Sequence, residues 1–540
     1  MSIDRTIGSP KSSAAAGGAE IDLSVERAAF FVLLLTGALM RFTTIGMDSL
    51  WIDEGHTMAA ADLSYAHLWS VPFDTHPPLH VTFVKLLMGI TSTEMALRLP
   101  SAVFSTLTLL VVYALGRRLT GRMGALVVLA MTAFSYTLLV YANNGRNYAQ
   151  LVFFLSLTCL AFQMMVDRLE AQKAWKDRGL LAWSAVYAIS ALAALYTHNA
   201  GVLYLFALNA MGCMLFVARD RMRAHPAILH LAATNAAALL LWLPWLSVML
   251  GGAGAFNWLD QKSVPEAAFI LAATLGPNKT GLIGPAIVFL ALGTGVLQAS
   301  TRPSWLAAMI WFHLAVLPLF IWSMGWVIQP VYMERTILPA IFGGALALAA
   351  FATRTRPQLA AAFATGLVLV ISSISSLQYV KRSGSETALG AQLVQDWDGA
   401  MHTPSVDNAS FVICDTFSLP VVHHYADDRP VVINSREGVW HLDLDGWREI
   451  YGQSIAVRIA NEKAGALAGG VGTRQSWSDF AAEADKIAFL KPSIYCNDGE
   501  AGQIRDRLAR AGYEPYSVRR YVGLKVEVFR PMGQETASLR

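Results

Sequence analysis

Residues 28–57 read AAFFVLLLTGALMRFTTIGMDSLWIDEGHT, and this stretch decides both the fold class and the place of the candidate site. Its first part, residues 28–46, is as long and as apolar as a helix that crosses a bilayer, which needs about 20 residues. Asp53 and Glu54 follow soon after that helix, behind Trp51. Because charged side chains beside a bilayer are costly, an acidic pair at a helix mouth indicates a functional site.

The same apolar pattern recurs up to residue 380, and the chain as a whole is 55% hydrophobic. It predicts about eleven spanning helices, at residues 28–46, 101–117, 123–141, 148–166, 180–198, 201–218, 227–249, 283–299, 304–325, 336–352 and 358–378. Two further apolar stretches, 77–90 and 267–276, are too short or interrupted to span and are predicted to lie at the interface. We therefore expect an α-helical polytopic membrane protein.

Charge divides the chain into domains. Residues 381–540 hold 39 of its 79 charged side chains, which indicates a soluble domain at 380–540 behind a transmembrane domain at 27–379. Residues 1–26 are rich in Ser, Ala and Gly and are predicted to be a disordered cytoplasmic tail. The net charge of +3 and the absence of a basic run argue against a nucleic-acid partner.

The soluble region alternates strand-like and helical segments. Apolar or alternating runs at 411–414, 430–433, 486–490 and 524–529 predict strands, and 500–512 predicts a helix. This alternation is typical of a small α/β layer.

Basic residues predict the orientation of the spans. If the N-terminus is cytoplasmic, every second loop is basic; these loops hold Arg117, Arg118, Arg122, Arg168, Lys173, Lys176, Arg178, Arg219, Arg221, Arg223, Arg302, Arg354 and Arg356. The loops at 47–100, 142–147, 199–200, 250–282 and 326–335 then face outside, as does the C-terminal domain. A full span at 77–90 would invert everything after it.

Under this topology, polar side chains collect on the outer side: Asp53, Glu54, His56, His76, Lys85, Arg98, Arg146, Tyr148, His198 and Arg335. Arginine and lysine suit a phosphate, arginine in a bidentate manner and lysine as a point charge. A carboxylate beside them can accept a proton from an attacking hydroxyl or hold a divalent metal.

Each of these residues also has a purely structural interpretation. The acidic pair alone is typical of solvated loop acids, and His76-Pro77-Pro78 is typical of a helix start. Lys85 can extend to the headgroups, and Arg98 can anchor a helix end. His198 is equally consistent with an ordinary interfacial histidine. Arg335 precedes a span as a boundary charge would, but it lies on the outer side, where the positive-inside rule does not favour positive charge.

Six short motifs occur in one order over residues 28–352. They are Trp51-Ile52-Asp53-Glu54; His76-Pro77-Pro78-Leu79 with Lys85; Arg98-Leu99-Pro100-Ser101; Tyr141 with Arg146-Asn147-Tyr148; Tyr196-Thr197-His198; and Arg335 with Leu338-Pro339. This order resembles the GT-C superfamily of polytopic glycosyltransferases, in particular the bacterial branch similar to protein O-mannosyltransferases and aminoarabinose transferases.

The resemblance implies transfer of a monosaccharide from a polyprenyl-phosphate donor to an acceptor at the outer face of a bacterial cytoplasmic membrane. It implies catalytic roles for Asp53 and Glu54, and substrate-binding roles for His76, Lys85, Arg98, Arg146, Tyr148, His198 and Arg335. Membrane lipids are then partners, and no soluble nucleotide sugar is needed.

One departure from the family pattern concerns a metal. The second outer loop usually has an acid just before its arginine, whereas this chain has Asn144-Gly145-Arg146. We expect no required cofactor. Binding of magnesium or manganese by Asp53 and Glu54 stays open, with Asp260 or Glu334 as the source of a further carboxylate.

Two rival functions remain at this stage. A transporter or lipid flippase would also need charges in its membrane domain, but it predicts repeats and sites near mid-bilayer. A membrane-anchored binding or scaffold protein would need far fewer spans.

The cysteines leave one question open. Cys414 and Cys496 both lie in the soluble region, where they are either two free thiols or a disulfide formed in an oxidising compartment.

Overall fold

The computed structural model describes fourteen stretches of the chain: residues 22–43, 45–46, 48–71, 76–171, 177–219, 221–251, 259–276, 283–301, 304–381, 395–415, 417–435, 438–441, 473–492 and 496–533. Residues 1–21 of the predicted tail lie outside the described residues, and Leu23 already belongs to the first helix.

Helices form the first part of the fold. They are α1 (Leu23–Phe42), α2 (Ile52–Asp62), α3 (Tyr65–Ser70), α4 (Leu79–Leu87), α5 (Thr93–Ala133), α6 (Tyr136–Ala142), α7 (Tyr148–Glu170), α8 (Arg178–Thr197), α9 (Gly201–Arg219), α10 (Arg221–Gly251), α11 (Val264–Leu275), α12 (Ile283–Ser300), α13 (Trp305–Trp311), α14 (Leu317–Val327), α15 (Ala340–Arg354) and α16 (Gln358–Lys381). A π-helical turn, Phe312–Val316, joins α13 to α14. A 3₁₀ turn, Glu334–Thr336, precedes α15.

The protein is an integral membrane protein. Within the described stretches, eight helices are long and apolar enough to cross a membrane. The predictions at 101–117 and 123–141 fall mainly on one long helix, α5, which breaks at Gly121 with φ 78° and ends at Ala133. The predictions at 283–299 and 336–352 correspond to the shorter apolar helices α12 and α15. The count of eleven spans therefore stays a prediction.

The two stretches predicted at the interface form short helices. Residues 77–90 contain α4, and residues 267–276 fall largely within α11. At 1.5 Å per residue, the nine residues of α4 extend about 14 Å, which is half the thickness of a hydrocarbon core.

Charged pairs mark one end of the helical bundle. Near the start of α1, Glu26 accepts a hydrogen bond from the Arg117 guanidinium at 2.7 Å. Arg118 pairs with Asp167 near the end of α7. The acidic pair at 53–54 follows the other end of α1, so it lies at the opposite end of the bundle.

The soluble region forms one mixed sheet. Its strands are β1 (Ser410–Ile413), β2 (Val431–Ser435), β3 (Gly438–His441), β4 (Thr473–Gln475), β5 (Ile487–Pro492), β6 (Tyr513–Tyr521) and β7 (Leu524–Pro531), in the order β4-β3-β2-β1-β5-β7-β6. The central strand β1 pairs in parallel with β2 and β5, as expected for an α/β layer. Helices α17 (Trp397–Met401), α18 (Leu419–Tyr425), α19 (Trp477–Glu483) and α20 (Asp498–Arg510) complete this domain.

The soluble domain shares a hydrophobic core with the first loop of the membrane domain. Leu50, Ile52 and Val84 of that loop belong to one buried cluster with Trp397 and Val421. Burial of apolar surface stabilises this contact by roughly 25 cal/mol for each Å² removed from water. The soluble domain is thus packed onto the polypeptide that carries the acidic pair.

A disulfide joins Cys414 to Cys496, which answers the question left open by the sequence. It links the residue after β1 to the segment before α20. Cys159 and Cys213 are free.

The fold predicts which loops share one side of the membrane. Cysteines at Ala66 and Ser478, both exposed, should react with an impermeant maleimide added from outside, because the soluble domain packs on the first loop. A cysteine at exposed Thr301, between α12 and α13, should be protected until the membrane is permeabilised. Labelling of only one of the first two positions would contradict the arrangement.

Candidate active site

Helix α2 holds the acidic pair in its first turn. Successive residues of an α-helix point about 100° apart, so two adjacent carboxylates cannot face the same surroundings. Glu54 is fully buried, whereas the side chain of Asp53 is 23% exposed. The two acids therefore have different environments.

Both oxygens of Glu54 are engaged. Oε1 accepts from Arg98 Nε at 2.8 Å and from the Gly145 N–H at 2.6 Å. Oε2 accepts from Arg98 Nη2 at 2.6 Å and from the Trp51 N–H at 3.3 Å. A bidentate arginine pair of this kind is strong and directional.

The remaining donors of Arg98 hold the backbone of the first loop. Nη1 donates to the Asp48 carbonyl at 2.8 Å, and Nη2 donates to the Ser49 carbonyl at 2.9 Å. Arg98 is buried. This geometry makes Arg98 a link between α5 and the first loop, and its predicted contact with substrate stays a prediction.

The second loop, residues 143–147, docks against the same ion pair. A Cβ at Gly145 would lie 2.9 Å from Leu97 Cβ and 3.1 Å from Glu54 Oε1, so only glycine allows this approach. Ser101 donates to the Arg146 carbonyl at 3.0 Å. Asn144 is also buried in this loop and supplies no charge.

Asp53 faces a cluster of cations. Its Oδ2 lies 3.7 Å from Arg335 Nη1. Arg146 Nη1 donates to the Asp53 carbonyl at 3.2 Å and to Thr57 Oγ1 at 3.1 Å. The loose pair with Arg335 leaves the Asp53 carboxylate accessible to a reacting hydroxyl.

Aromatic rings form one wall of this site. The rings of His76 and His198 lie 4.4 Å apart, and Tyr148 lies 5.6 Å from His198. The Arg335 guanidinium lies 5.4 Å from the centre of the Tyr148 ring, within the range of a cation–π contact. The structure thus brings together Asp53, His76, Arg146, Tyr148, His198 and Arg335 from five separate segments.

Glu334 adds a second carboxylate near this cluster. Burial raises the pKa of Glu334 to about 7, against the opposing charge of Arg335. Glu334 is therefore protonated more readily than an exposed carboxylate. Among the residues that the structure describes, no three His, Cys, Asp or Glu side chains lie close enough to hold a metal ion. Asp53 and Glu54 do not fit such a site, because Glu54 has no oxygen left for a cation.

Lys85, on α4, contacts the C-terminal end of α2, away from Asp53. Its Nζ donates to the Ala61 carbonyl at 2.7 Å and lies 5.4 Å from the centre of the Tyr65 ring. At 1.5 Å per residue, Ala61 is about 12 Å along the helix from Asp53. Lys85 must leave Ala61 before it can reach a phosphate beside Asp53.

Sequence reasoning missed a buried polar chain behind the site. His80 Nδ1 donates to Gln150 Oε1 at 3.1 Å, and Gln150 Nε2 donates to Thr197 Oγ1 at 3.3 Å. Burial lowers the pKa of His80 to about 4, so the imidazole is neutral at pH 7. In the sequence, the one indication of this chain was that His80 lies two residues after Pro78 on a short apolar helix. A histidine packed in a hydrophobic core would occupy the same kind of position.

Comparisons with known proteins show what this chain is similar to. A family model described as dolichyl-phosphate-mannose-protein mannosyltransferase matches residues 75–247. ArnT from Cupriavidus metallidurans in the apo state is 13% identical, over 93% of this chain and 98% of that one, with a TM-score of 0.55. The chain shares the fold of ArnT.

Two further solved structures agree with this assignment. ArnT bound to undecaprenyl phosphate is 14% identical, over 94% of this chain and 98% of that one, with a TM-score of 0.54. An Archaeoglobus fulgidus oligosaccharyltransferase tethered with an acceptor peptide is 12% identical, over 92% of this chain and 73% of that one, with a TM-score of 0.50. The search of curated proteins returned no relative. The fold implied by the sequence motifs is confirmed.

The geometry predicts that Glu54→Gln acts mainly on stability. It removes the charge that compensates Arg98, and breaking a buried ion pair costs roughly 3–5 kcal/mol. We expect a large loss of thermal stability in detergent, measured by unfolding of the purified protein. Asp53→Asn is the matched control and should unfold like the wild type. A Glu54→Gln protein of normal stability but without activity would instead make Glu54 a catalytic group.

Proposed function

We propose that this protein transfers a monosaccharide from a polyprenyl-phosphate-linked donor to a protein, lipid or glycan acceptor. The observation that carries the proposal is the accessible carboxylate of Asp53 lying 3.7 Å from the Arg335 guanidinium. A base beside a cation suits a reaction in which a hydroxyl attacks and a phosphate leaves. The GT-C fold and the match to a dolichyl-phosphate-mannose mannosyltransferase model support it.

The cations would hold the phosphate of the donor. ArnT, which has the same fold, has been solved with undecaprenyl phosphate. Arg335 is well placed, because its Nη1 lies 3.7 Å from Asp53 Oδ2, a distance longer than a direct hydrogen bond. A phosphate that draws Arg335 away would leave the Asp53 carboxylate ready to accept a proton. Arg146 adds positive charge beside Asp53, whose backbone carbonyl it contacts at 3.2 Å. Such fixed charge stabilises the phosphate that forms as the glycosidic bond breaks.

The aromatic wall would receive the sugar. Tyr148, His76 and His198 present ring faces and edges next to Arg335. Ring faces pack well against the C–H faces of a sugar while their polar atoms reach its hydroxyls. Asp53 would then take the proton of the acceptor hydroxyl at the anomeric carbon, as a general base.

The location of the reaction follows from the basic loops. We propose that the site and the C-terminal domain face the outside of a bacterial cytoplasmic membrane, where a lipid-linked donor is present and nucleotide sugars are not needed. The disulfide between Cys414 and Cys496 is consistent with an oxidising compartment.

Asp53→Asn should abolish most transfer without loss of folding. The change keeps the shape of the side chain and deletes the base, which typically costs ~10²–10⁴-fold in rate. The rate of transfer is measured as the release of lipid phosphate from radiolabelled polyprenyl-phosphate sugars. Asp62→Asn, an exposed change at the other end of α2, is the control and should be active. Near-normal activity of Asp53→Asn would show that Asp53 is only a loop acid.

Arg335→Gln should weaken donor binding. It removes a charge-assisted hydrogen bond worth about 1.5–3 kcal/mol, or roughly 10–150-fold in Kd. Direct binding of undecaprenyl phosphate to purified protein measures the loss. Arg354→Gln, at the far end of α15, should bind like the wild type. A transporter of another substrate predicts no binding even by the wild type.

Transfer should persist in excess chelator. Glu54 is fully engaged by Arg98 and Gly145, and position 144 is a neutral asparagine, so few charged oxygen ligands are available. Activity in EDTA, compared with activity after addition of magnesium or manganese, checks this. Loss in EDTA with recovery on adding either metal would make the Asp53 region a metal site.

A further inference from the structure

Side chains of the C-terminal domain hold the first turn of α2. The Tyr425 hydroxyl accepts a hydrogen bond from the Leu50 N–H at 2.8 Å and donates to Glu94 Oε1 at 3.0 Å. Gln395 Oε1 accepts from the Ile52 N–H at 3.2 Å. These two N–H groups stand three residues and one residue before Asp53.

Water cannot replace these partners. The Ile52 N–H is one of the first N–H groups of α2, which have no acceptor within the helix, and the buried N–H of Leu50, just before the helix, needs a partner as well. Leu50 is 0% and Ile52 is 1% exposed, so their N–H groups depend on Tyr425 and Gln395. Gln395 is itself buried and is fixed by a hydrogen bond from Trp397 Nε1 at 3.0 Å.

Close packing adds a second constraint on α2. A Cβ at Gly55 would overlap the side chain of Val421 on α18 and lie 3.2 Å from its backbone nitrogen. One turn of α2 is therefore in direct contact with α18. On the next position, the His56 ring lies 5.6 Å from the Phe417 ring.

Glu94 ties the same interface to the membrane domain. Its Oε1 accepts from Tyr425 and also lies 3.2 Å from His424 Nε2. Glu94 is one helical turn before Arg98 on α5, and Arg98 holds Glu54. The Asp53 backbone is thus fixed from two directions, by α5 on one side and by the C-terminal domain on the other.

We propose that Tyr425 and Gln395 are positioning residues for catalysis, through which the C-terminal domain orients Asp53 toward Arg335. The proposal rests on the function proposed above and assigns the domain a part in that site. It requires no contact between the domain and the donor. Misplacement of a reacting group by about 1 Å can cost 10²-fold in rate, so a small shift of α2 has a large effect.

Two conservative variants and one control test this. Tyr425→Phe and Gln395→Met each remove a polar partner of the α2 backbone while keeping the size of the side chain. Tyr513→Phe is the control, because Tyr513 is buried in a separate cluster of the same domain and donates to the Ala481 carbonyl at 2.7 Å. We expect the first two variants to lower kcat by about 10-fold or more and to leave the Kd for undecaprenyl phosphate within about twofold. Tyr513→Phe should change neither.

A double variant shows whether the effect passes through Asp53. If Tyr425 acts by positioning Asp53, Asp53→Asn with Tyr425→Phe should be no slower than Asp53→Asn alone. Independent, multiplicative losses would overturn the proposal. Equal losses in Tyr425→Phe and Tyr513→Phe would overturn it as well, since they would reflect stability alone.

Hydrogen exchange supplies a measurement that needs no activity. The amides of residues 50–56 should exchange faster in Tyr425→Phe and Gln395→Met than in the wild type, and at the wild-type rate in Tyr513→Phe. Unchanged exchange in the first two variants would refute the coupling itself. A wild type that transfers no sugar, but whose variants show the faster exchange, would refute the proposed function and leave the coupling standing.

Discussion

The buried pair of Glu54 and Arg98 is the interaction on which the rest of the site depends. It joins the first loop, helix α5 and the second loop at one point, because Glu54 also accepts the Gly145 N–H and Arg98 also donates to the Asp48 and Ser49 carbonyls. A buried pair contributes little net stability compared with apolar packing, but the loss of one partner is severe. Its value here is geometric, since three segments distant in sequence must meet for the pair to be satisfied.

The pair also separates the roles of two adjacent acids. Glu54 points inward, and both of its carboxylate oxygens are paired with Arg98. Asp53 lies about 100° around the helix and is the acid that faces Arg335 and the aromatic wall. One carboxylate fixes the helix and the other remains available for chemistry.

The C-terminal domain is packed against the same loop and helix that carry Glu54 and Asp53. Its side chains satisfy the backbone at the start of α2, its helix α18 packs on Gly55, and its core is continuous with that of the first loop. The soluble domain of this membrane protein is therefore packed against the first loop and is not a separate module. Movement of the C-terminal domain would therefore shift the position of Asp53, the residue proposed as the base.

The sequence by itself determined the membrane class, the α/β nature of the last 160 residues and the segments that supply the site. The length of apolar segments, the distribution of charge and the short motifs are all local features of the sequence. The hydrophobic effect acts on an apolar segment in the same way whatever the tertiary structure around it. The predicted strands at 411–414, 430–433, 486–490 and 524–529 all lie within or beside observed strands for this reason. Strands β3, β4 and β6 were missed, because short or exposed strands lack a clear apolar alternation.

Only the tertiary structure decided which charged residues meet. The sequence gives Asp53 and Glu54 the same chemistry, and it gives Lys85, Arg98, Arg146 and Arg335 the same charge. In the fold, the buried Glu54 pairs with Arg98, whereas Asp53 points toward Arg335. Lys85 instead contacts Ala61 at the far end of α2. The roles of His80, Gln395 and Tyr425 depend on contacts across 70 to 375 residues of chain, which no local pattern records. Such pairings are set by how whole helices and domains pack, because a buried polar group is stable only where the fold supplies its partner.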